Sequence, residues 1–168
     1  EQLAQFLVDK LGGKGNVIMV TGVAGTHVDE ERNRGADAVF KKSPGIKVVA
    51  RYTGMWDSST AQRNTAGQLP SLPKVDGIWA QGGTDGVIKA FIDAKRPLPP
   101  TAGEAENGFR KQMLQFKDQF QAISIGQSPG LVCVSIHAVL DLLQGNEVPS
   151  SIAAPLPITT TADLEPGG

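Results

Sequence analysis

Apolar residues recur along the chain in two alternating patterns. Short, nearly continuous apolar runs bounded by glycine are typical of strands buried on both faces of a parallel sheet. Between them lie longer segments whose apolar residues have helical spacing. The pattern predicts strands at 16–21, 46–51, 76–80, 100–103 and 121–126, and helices at 1–11, 28–42, 58–69, 84–95, 106–118 and 130–144.

This alternation predicts an α/β fold with a doubly wound parallel sheet of five or six strands, covered by helices on both faces to give three layers. The pattern changes after Gly145, where prolines interrupt a segment with little helical period. The β-branched residues of PLPITTTADL, at 155–164, favour a short extended piece that pairs with an edge of the sheet.

Composition removes several classes of function. The 168 residues carry 16 basic and 17 acidic side chains, enough chain for one domain with or without an appendage. Without a basic cluster we expect no nucleic-acid partner, and no apolar run approaches the roughly 20 residues that span a bilayer. The single cysteine, Cys133, excludes an internal disulfide and a zinc site of paired thiolates.

Candidate chemistry lies just after the strands, because an open parallel sheet binds ligands outside the carboxyl ends of its strands. The loops there combine amides, carboxylates and a guanidinium with one large aromatic ring. Such groups hydrogen-bond pairs of hydroxyls, and a ring covers the apolar face of a sugar, so they favour a polyhydroxylated ligand. The residues are Arg32, Trp56, Asp57, Gln81, Asp85, Glu104, Glu106, Asn107 and Gln127.

One motif points to catalysis, but its context does not fit. Residues 126–130 read G-x-S-x-G between a predicted strand and a predicted helix, as a nucleophile elbow requires. However, the residue after the serine must lend its backbone N–H to the oxyanion hole, and Pro129 has none. The downstream histidine, His137, also precedes the nearby acid, Asp141, on one predicted helix. We therefore expect no hydrolase.

Phosphate and metal sites are not expected either. The glycine-rich segment 22–26 follows a strand but lacks the Gly-Lys-Ser/Thr of a phosphate loop. His27 precedes three acids at 29–31, but the first turn of a helix favours carboxylates without any metal. We expect neither a metal nor another cofactor.

Five separated segments resemble the periplasmic sugar-binding proteins of ABC transporters, the ribose-binding-like type I family. In chain order they are GGKGNVIMVTGVAGTHVDEERNRGADAVFKK, PGIKVVARYTGMWDSSTAQ, VDGIWAQGGTDGVIKAF, GEAENGF and SIGQSP. By this resemblance, Arg32 matches the arginine whose guanidinium hydrogen-bonds a pair of sugar hydroxyls. Trp56 matches the aromatic residue that stacks on the sugar ring, and Gln127 matches the polar residue at the hinge crossing.

The chain departs from the family pattern at two places. Gly82-Gly83 stand where the family usually has Asn-Asp, which shifts that contact to Gln81 or Asp85. Ala105 stands at the usual carboxylate position. By the resemblance, Glu104 is expected as the acidic ligand, with Glu106 and Asn107 as neighbours, and which acid of this segment contacts the ligand stays open.

The resemblance also implies an organisation into two lobes joined by three crossings. Residues 1–126 would form the second lobe, while 127–168 would supply a hinge crossing, a helix and a tail that pack partly on a first lobe absent from this chain. We expect that lobe as a separate fragment, or its replacement by self-association. Because the chain begins at Glu1 without Met, we expect a targeting segment to be removed or to lie upstream.

The implied function is non-catalytic: two lobes close over a sugar or polyol and deliver it to an ABC permease, in the periplasm or outside the cell, with or without a lipid anchor. Two alternatives stay open. The effector-binding core of a LacI-type transcription regulator has the same fold, and a free-standing flavodoxin-like enzyme or signalling domain has a similar one. GEAENGF and the proline-rich tail favour the transport proteins.

Overall fold

The structure, a computed structural model, describes residues 1–126, 130–152 and 156–165. Its centre is a six-stranded sheet with the order β2-β1-β3-β4-β5-β6. β1 to β5 run parallel, and β6 pairs antiparallel with β5, which confirms the parallel sheet and the extended tail at its edge. The strands are β1 Lys14–Thr21, β2 Gly45–Thr53, β3 Gly77–Ala80, β4 Thr101–Glu104, β5 Ala122–Ile125 and β6 Ile158–Thr160.

Each predicted helix is present, with ends within three residues of the predicted ones. A short 3-10 turn, Leu69–Ser71, extends the third helix. The helices are α1 Gln2–Lys10, α2 His27–Lys41, α3 Ser58–Gln68, α4 Thr84–Asp93, α5 Asn107–Gln115 and α6 Leu131–Leu143.

Helices pack on both faces of the sheet, and each face has its own hydrophobic core. Alternate residues of β1 enter opposite cores, as a strand requires: Val17 and Met19 cluster with α1 and α2, while Ile18 and Val20 cluster with α3, α4 and α5. All four side chains are fully buried. The sheet therefore lies between two helix layers, and the predicted three-layer α/β fold is confirmed.

The strand order reverses at β1, whose neighbours are β2 on one side and β3 on the other. The connection that leaves β1 leads to β2 on one side, and the connection that leaves β3 leads to β4 on the other side. The loops after these two strands therefore diverge and open a crevice at the carboxyl edge of the sheet.

Helix α6 differs from the other helices because none of its side chains is buried. Seven of its large apolar side chains are between 38% and 79% exposed: Val132, Val134, Ile136, Val139, Leu140, Leu142 and Leu143. Among residues 1–126, 130–152 and 156–165, no helix has the length and apolar character needed to cross a membrane.

Candidate ligand-binding site

A bidentate ion pair joins α2 to the carboxyl end of β4. Arg32 donates from Nη1 to Glu104 Oε2 at 3.0 Å and from Nη2 to Oε1 at 3.2 Å. Nη1 also donates to the backbone oxygen of Gln81 at 3.0 Å. The two charged side chains stay 34% and 30% exposed, so a ligand at the edge of the sheet can reach both.

The buried amide of Gln81 organises the residues around this pair. Its Nε2 donates to Asp29 Oδ1 at 2.9 Å and to Asn33 Oδ1 at 3.0 Å, both on α2. Its Oε1 accepts from Trp56 Nε1 at 3.3 Å. Both ends of the amide are therefore engaged within the protein, and Gln81 fixes α2 and the tryptophan against β3.

Asp29 anchors the loop after β1. Its Oδ1 accepts from the backbone N–H of Gly22 at 2.6 Å, and its own N–H donates to Thr26, the residue that caps α2, at 3.3 Å. Sequence reasoning missed this role, because an acid in the first turn of a helix is already explained by the helix dipole. The burial of Asp29, which is only 6% exposed, indicates the role, and the sequence alone does not report burial.

Trp56 lies in the crevice between the loops that follow β1 and β3. Met55 and Trp56 have φ angles of 58° and 54°, a left-handed turn that non-glycine residues rarely adopt. A Cβ atom on Gly22 would overlap the indole, and one on Gly82 would lie 3.0 Å from Cδ1. The ring therefore lies directly against the backbone of Gly22 and Gly82, where a side chain on either residue would crowd it.

Glu106 ties the β4–α5 loop to the start of α4. Its Oε1 accepts from Gly83 N–H at 2.7 Å and its Oε2 from Thr84 N–H at 2.9 Å. Burial raises the pKa of this carboxyl above its ordinary value, against the lowering effect of the two backbone N–H groups. Glu106 is therefore a helix cap whose oxygens are engaged within the protein.

The remaining predicted site residues lie beside this cap or beyond the described chain. Asp85, in the first turn of α4, accepts a hydrogen bond from Ser58 Oγ. Asn107 begins α5 and is exposed. Gln127 falls in 127–129, outside the described residues. Among the described site residues, the structure brings Arg32 and Glu104 together around Gln81.

A cavity of about 220 Å³ opens beside the ion pair. Arg32, Glu104, Trp79, Gly126 and Leu156 are among the residues that line it. Trp79 is 3% exposed, as expected for an aromatic residue inside a strand, and it forms part of the cavity wall. Outside the gaps at 127–129, 153–155 and 166–168, no group of His, Cys, Asp and Glu is arranged to hold a metal ion.

Fixed guanidinium donors, carboxylate acceptors and a nearby aromatic ring are groups that can bind a polar molecule. Residues 1–147 match the periplasmic binding protein domain family. The chain belongs to this family. Since the match takes in α1 to α6 and β1 to β5, membership confirms the expected resemblance.

Two proteins of known function are similar to this chain in sequence. A xylitol-binding protein of Mycolicibacterium smegmatis is 34% identical over 105 residues, 61% of this chain and 30% of that protein. The ribose import binding protein RbsB of Bacillus subtilis is 23% identical over 163 residues, 95% of this chain and 52% of that protein. This chain thus spans about half the length of RbsB, and less of the xylitol-binding protein.

A similar solved structure is an ABC transporter periplasmic solute binding protein from Actinobacillus succinogenes with bound D-allose. It is 26% identical, with a TM-score of 0.83 over 94% of this chain and 57% of that one. The similarity confirms the fold expected from the sequence, a lobe of a type I periplasmic binding protein.

Proposed function

We propose that this chain is a solute-binding, non-catalytic component of an ABC-type sugar import system, and that it binds a sugar or polyol. The observation that carries the proposal is the solvent-accessible, bidentate ion pair of Arg32 and Glu104 at the carboxyl edge of the sheet. Neighbouring hydroxyls of a polyol can accept from the one group and donate to the other. The names of the relatives, which include xylitol, ribose and D-allose, support this ligand class.

In this proposal the site residues have different parts. Arg32 and Glu104 hydrogen-bond the ligand, and Trp56 covers an apolar face of it. Gln81 positions these groups, since its own amide is engaged with α2 and the indole. Asp85, Asn107 and Gln127 are proposed contacts on the rim and at the hinge.

The proposed mechanism is closure of two lobes over the ligand. Residues 1–126, with β6 returned to their sheet, are the second lobe, and the rest of 127–168 crosses the hinge and packs partly on a first lobe. The exposed apolar side chains of α6 and the length of the relatives support this division. Each lobe contributes contacts that coexist only in the closed state, so ligand shifts the hinge equilibrium by its difference in affinity. One lobe alone then binds weakly.

Delivery to an ABC permease and a location in the periplasm or outside the cell belong to the same proposal. The named relatives are solute-binding proteins, which supports this function over the effector-binding core of a LacI-type regulator. The gene sequence upstream of Glu1 separates the two: a leader peptide supports transport, and a helix-turn-helix contradicts it.

Binding is tested on this chain by nuclear magnetic resonance titration with xylitol, ribose and D-allose at millimolar concentrations. We expect saturable shifts with at least one of them, and Arg32→Ala to weaken that binding about tenfold or more, because hydrogen bonds to charged groups contribute about 1.5–3 kcal/mol each.

The control is Arg34→Ala, which removes an exposed arginine of the same helix that pairs with Glu31 and should leave affinity unchanged. No binding to any of the three ligands, or equal affinity in wild type and Arg32→Ala, would contradict the proposal.

A further inference from the structure

We infer that Glu104 makes this site select uncharged polyols against sugar acids, because it neutralises the charge of Arg32 and holds a carboxylate of its own beside the ligand. The inference rests on the proposed function and deepens it, because it names the charge class of the ligand and the residue that sets it.

The guanidinium of Arg32 carries five N–H donors and no acceptor. Two donors are engaged by Glu104 and one by the backbone oxygen of Gln81. Within the described ranges, the Nε–H and one Nη2–H are left for a ligand. Arg32 can therefore still donate through Nε–H and Nη2–H, but its positive charge is already paired with the carboxylate of Glu104.

Glu104 keeps acceptor capacity beside those donors. A carboxylate offers about four lone-pair positions, and each of its oxygens accepts one hydrogen bond from Arg32. The absence of a side chain at Gly82 keeps Oε2 uncovered, since a Cβ there would lie 3.4 Å from it. A ligand group that both donates and accepts, such as a hydroxyl, can use both members of the pair.

A carboxylate on the ligand meets the opposite situation. It cannot donate to Glu104, it would approach that charge within a few ångströms, and the ion pair offers it no net positive charge. A second acid, Asp29, is buried in the network that holds Gln81. The local charge therefore disfavours an anion.

The test compares ligand pairs that differ in one terminal group: xylitol with xylonate, and ribose with ribonate. We expect wild-type chain to bind the better neutral ligand at least tenfold more tightly than its acid partner. In Glu104→Gln that ratio should fall at least tenfold through a gain in acid affinity. Raising the salt concentration should weaken that gain, because it is electrostatic, and Arg32→Ala in the same background should abolish it.

Glu31→Gln is the control, because it removes a partly exposed carboxylate of α2 that pairs with Arg34 instead and should leave the ratio unchanged. Neutral binding with an unchanged ratio in Glu104→Gln would overturn the inference and leave the proposed function standing, whereas no neutral binding in wild type would overturn both. Should Glu104→Gln not fold, the wild-type ratio still decides, because equal binding of xylitol and xylonate overturns the inference.

Discussion

The indole of Trp56 rests on Gly22 with no room for another carbon atom. We therefore predict that Gly22→Ala displaces the ring, breaks its hydrogen bond to Gln81 and weakens ligand binding. Overpacking typically lowers the free energy of unfolding by about 1–3 kcal/mol. Because a partly exposed ring can move aside, we expect a loss at the lower end of that range. Urea unfolding, tryptophan fluorescence and ligand titration measure these changes.

The matched control for that prediction is Gly67→Ala. Gly67 lies in α3, and a Cβ atom added there would have no heavy atom within 4 Å other than those of its neighbours and the backbone of its own helix, so alanine should add about 0.5–1 kcal/mol of stability through helix propensity. An unchanged fluorescence spectrum and unchanged affinity in Gly22→Ala would contradict the packing argument.

At the scale of residues, the sequence identified the kinds of group at the site but not their partners. Strand-end position predicted that Arg32, Trp56 and Glu104 would lie near one edge of the sheet. The pairing of Arg32 with Glu104 depends on how far a side chain of α2 reaches across two strands, and spacing does not report that. The saturation of the Gln81 amide and the burial of Asp29 are likewise products of packing.

The loop between β4 and α5 is joined to α4 through Glu106, which makes the contact between these elements depend on pH. The pKa of Glu106 is raised above 4.5, mainly by burial, so the folded state holds the proton more tightly than the unfolded state. Its contribution to stability is complete below that unfolded value and is lost as the pH rises through the folded pKa. The free energy of unfolding of wild type, measured relative to Glu106→Gln, should therefore fall from pH 4.5 toward neutrality.

Denaturant unfolding at several pH values measures this difference, and Asp57→Asn is the control. A hydrogen bond from Thr60 lowers the pKa of the Asp57 carboxyl below 3.8, so its contribution is lost only as the pH falls through that lower value. Above about pH 5 the difference between wild type and Asp57→Asn should stay level. A level or rising difference for Glu106→Gln would contradict the predicted effect of burial.

At the scale of elements, periodicity was sufficient for the order and type of the helices and strands. Apolar runs such as 16–21 and helical spacing such as that of 84–95 carry a strong local signal. The pairing of the tail was predicted from its β-branched residues, but its partner and direction were not. They depend on which edge of the sheet is open, and that edge is provided by β5.

At the scale of the whole molecule, the chain divides into a packed part and an unpartnered one. β6 returns to the sheet, and Thr161 adds a hydrogen bond from its Oγ1 to Ala122 oxygen at 3.2 Å. Helix α6, between β5 and β6, buries none of its side chains. An apolar helix without a partner is typical of a surface meant for another body, which in the proposed function is the first lobe.

The exposed apolar surface of α6 predicts self-association of this chain. Without a first lobe, copies of the 168-residue chain should cover α6 with one another, so light scattering should show a mass that rises with concentration. Leu140→Glu with Leu143→Glu should shift the chain toward monomer and leave its unfolding midpoint nearly unchanged, because these side chains are 47% and 79% exposed. Ile92→Glu, at a 39% exposed apolar position on α4, should not affect association. A wild-type chain that stays monomeric at every concentration would contradict the predicted self-association.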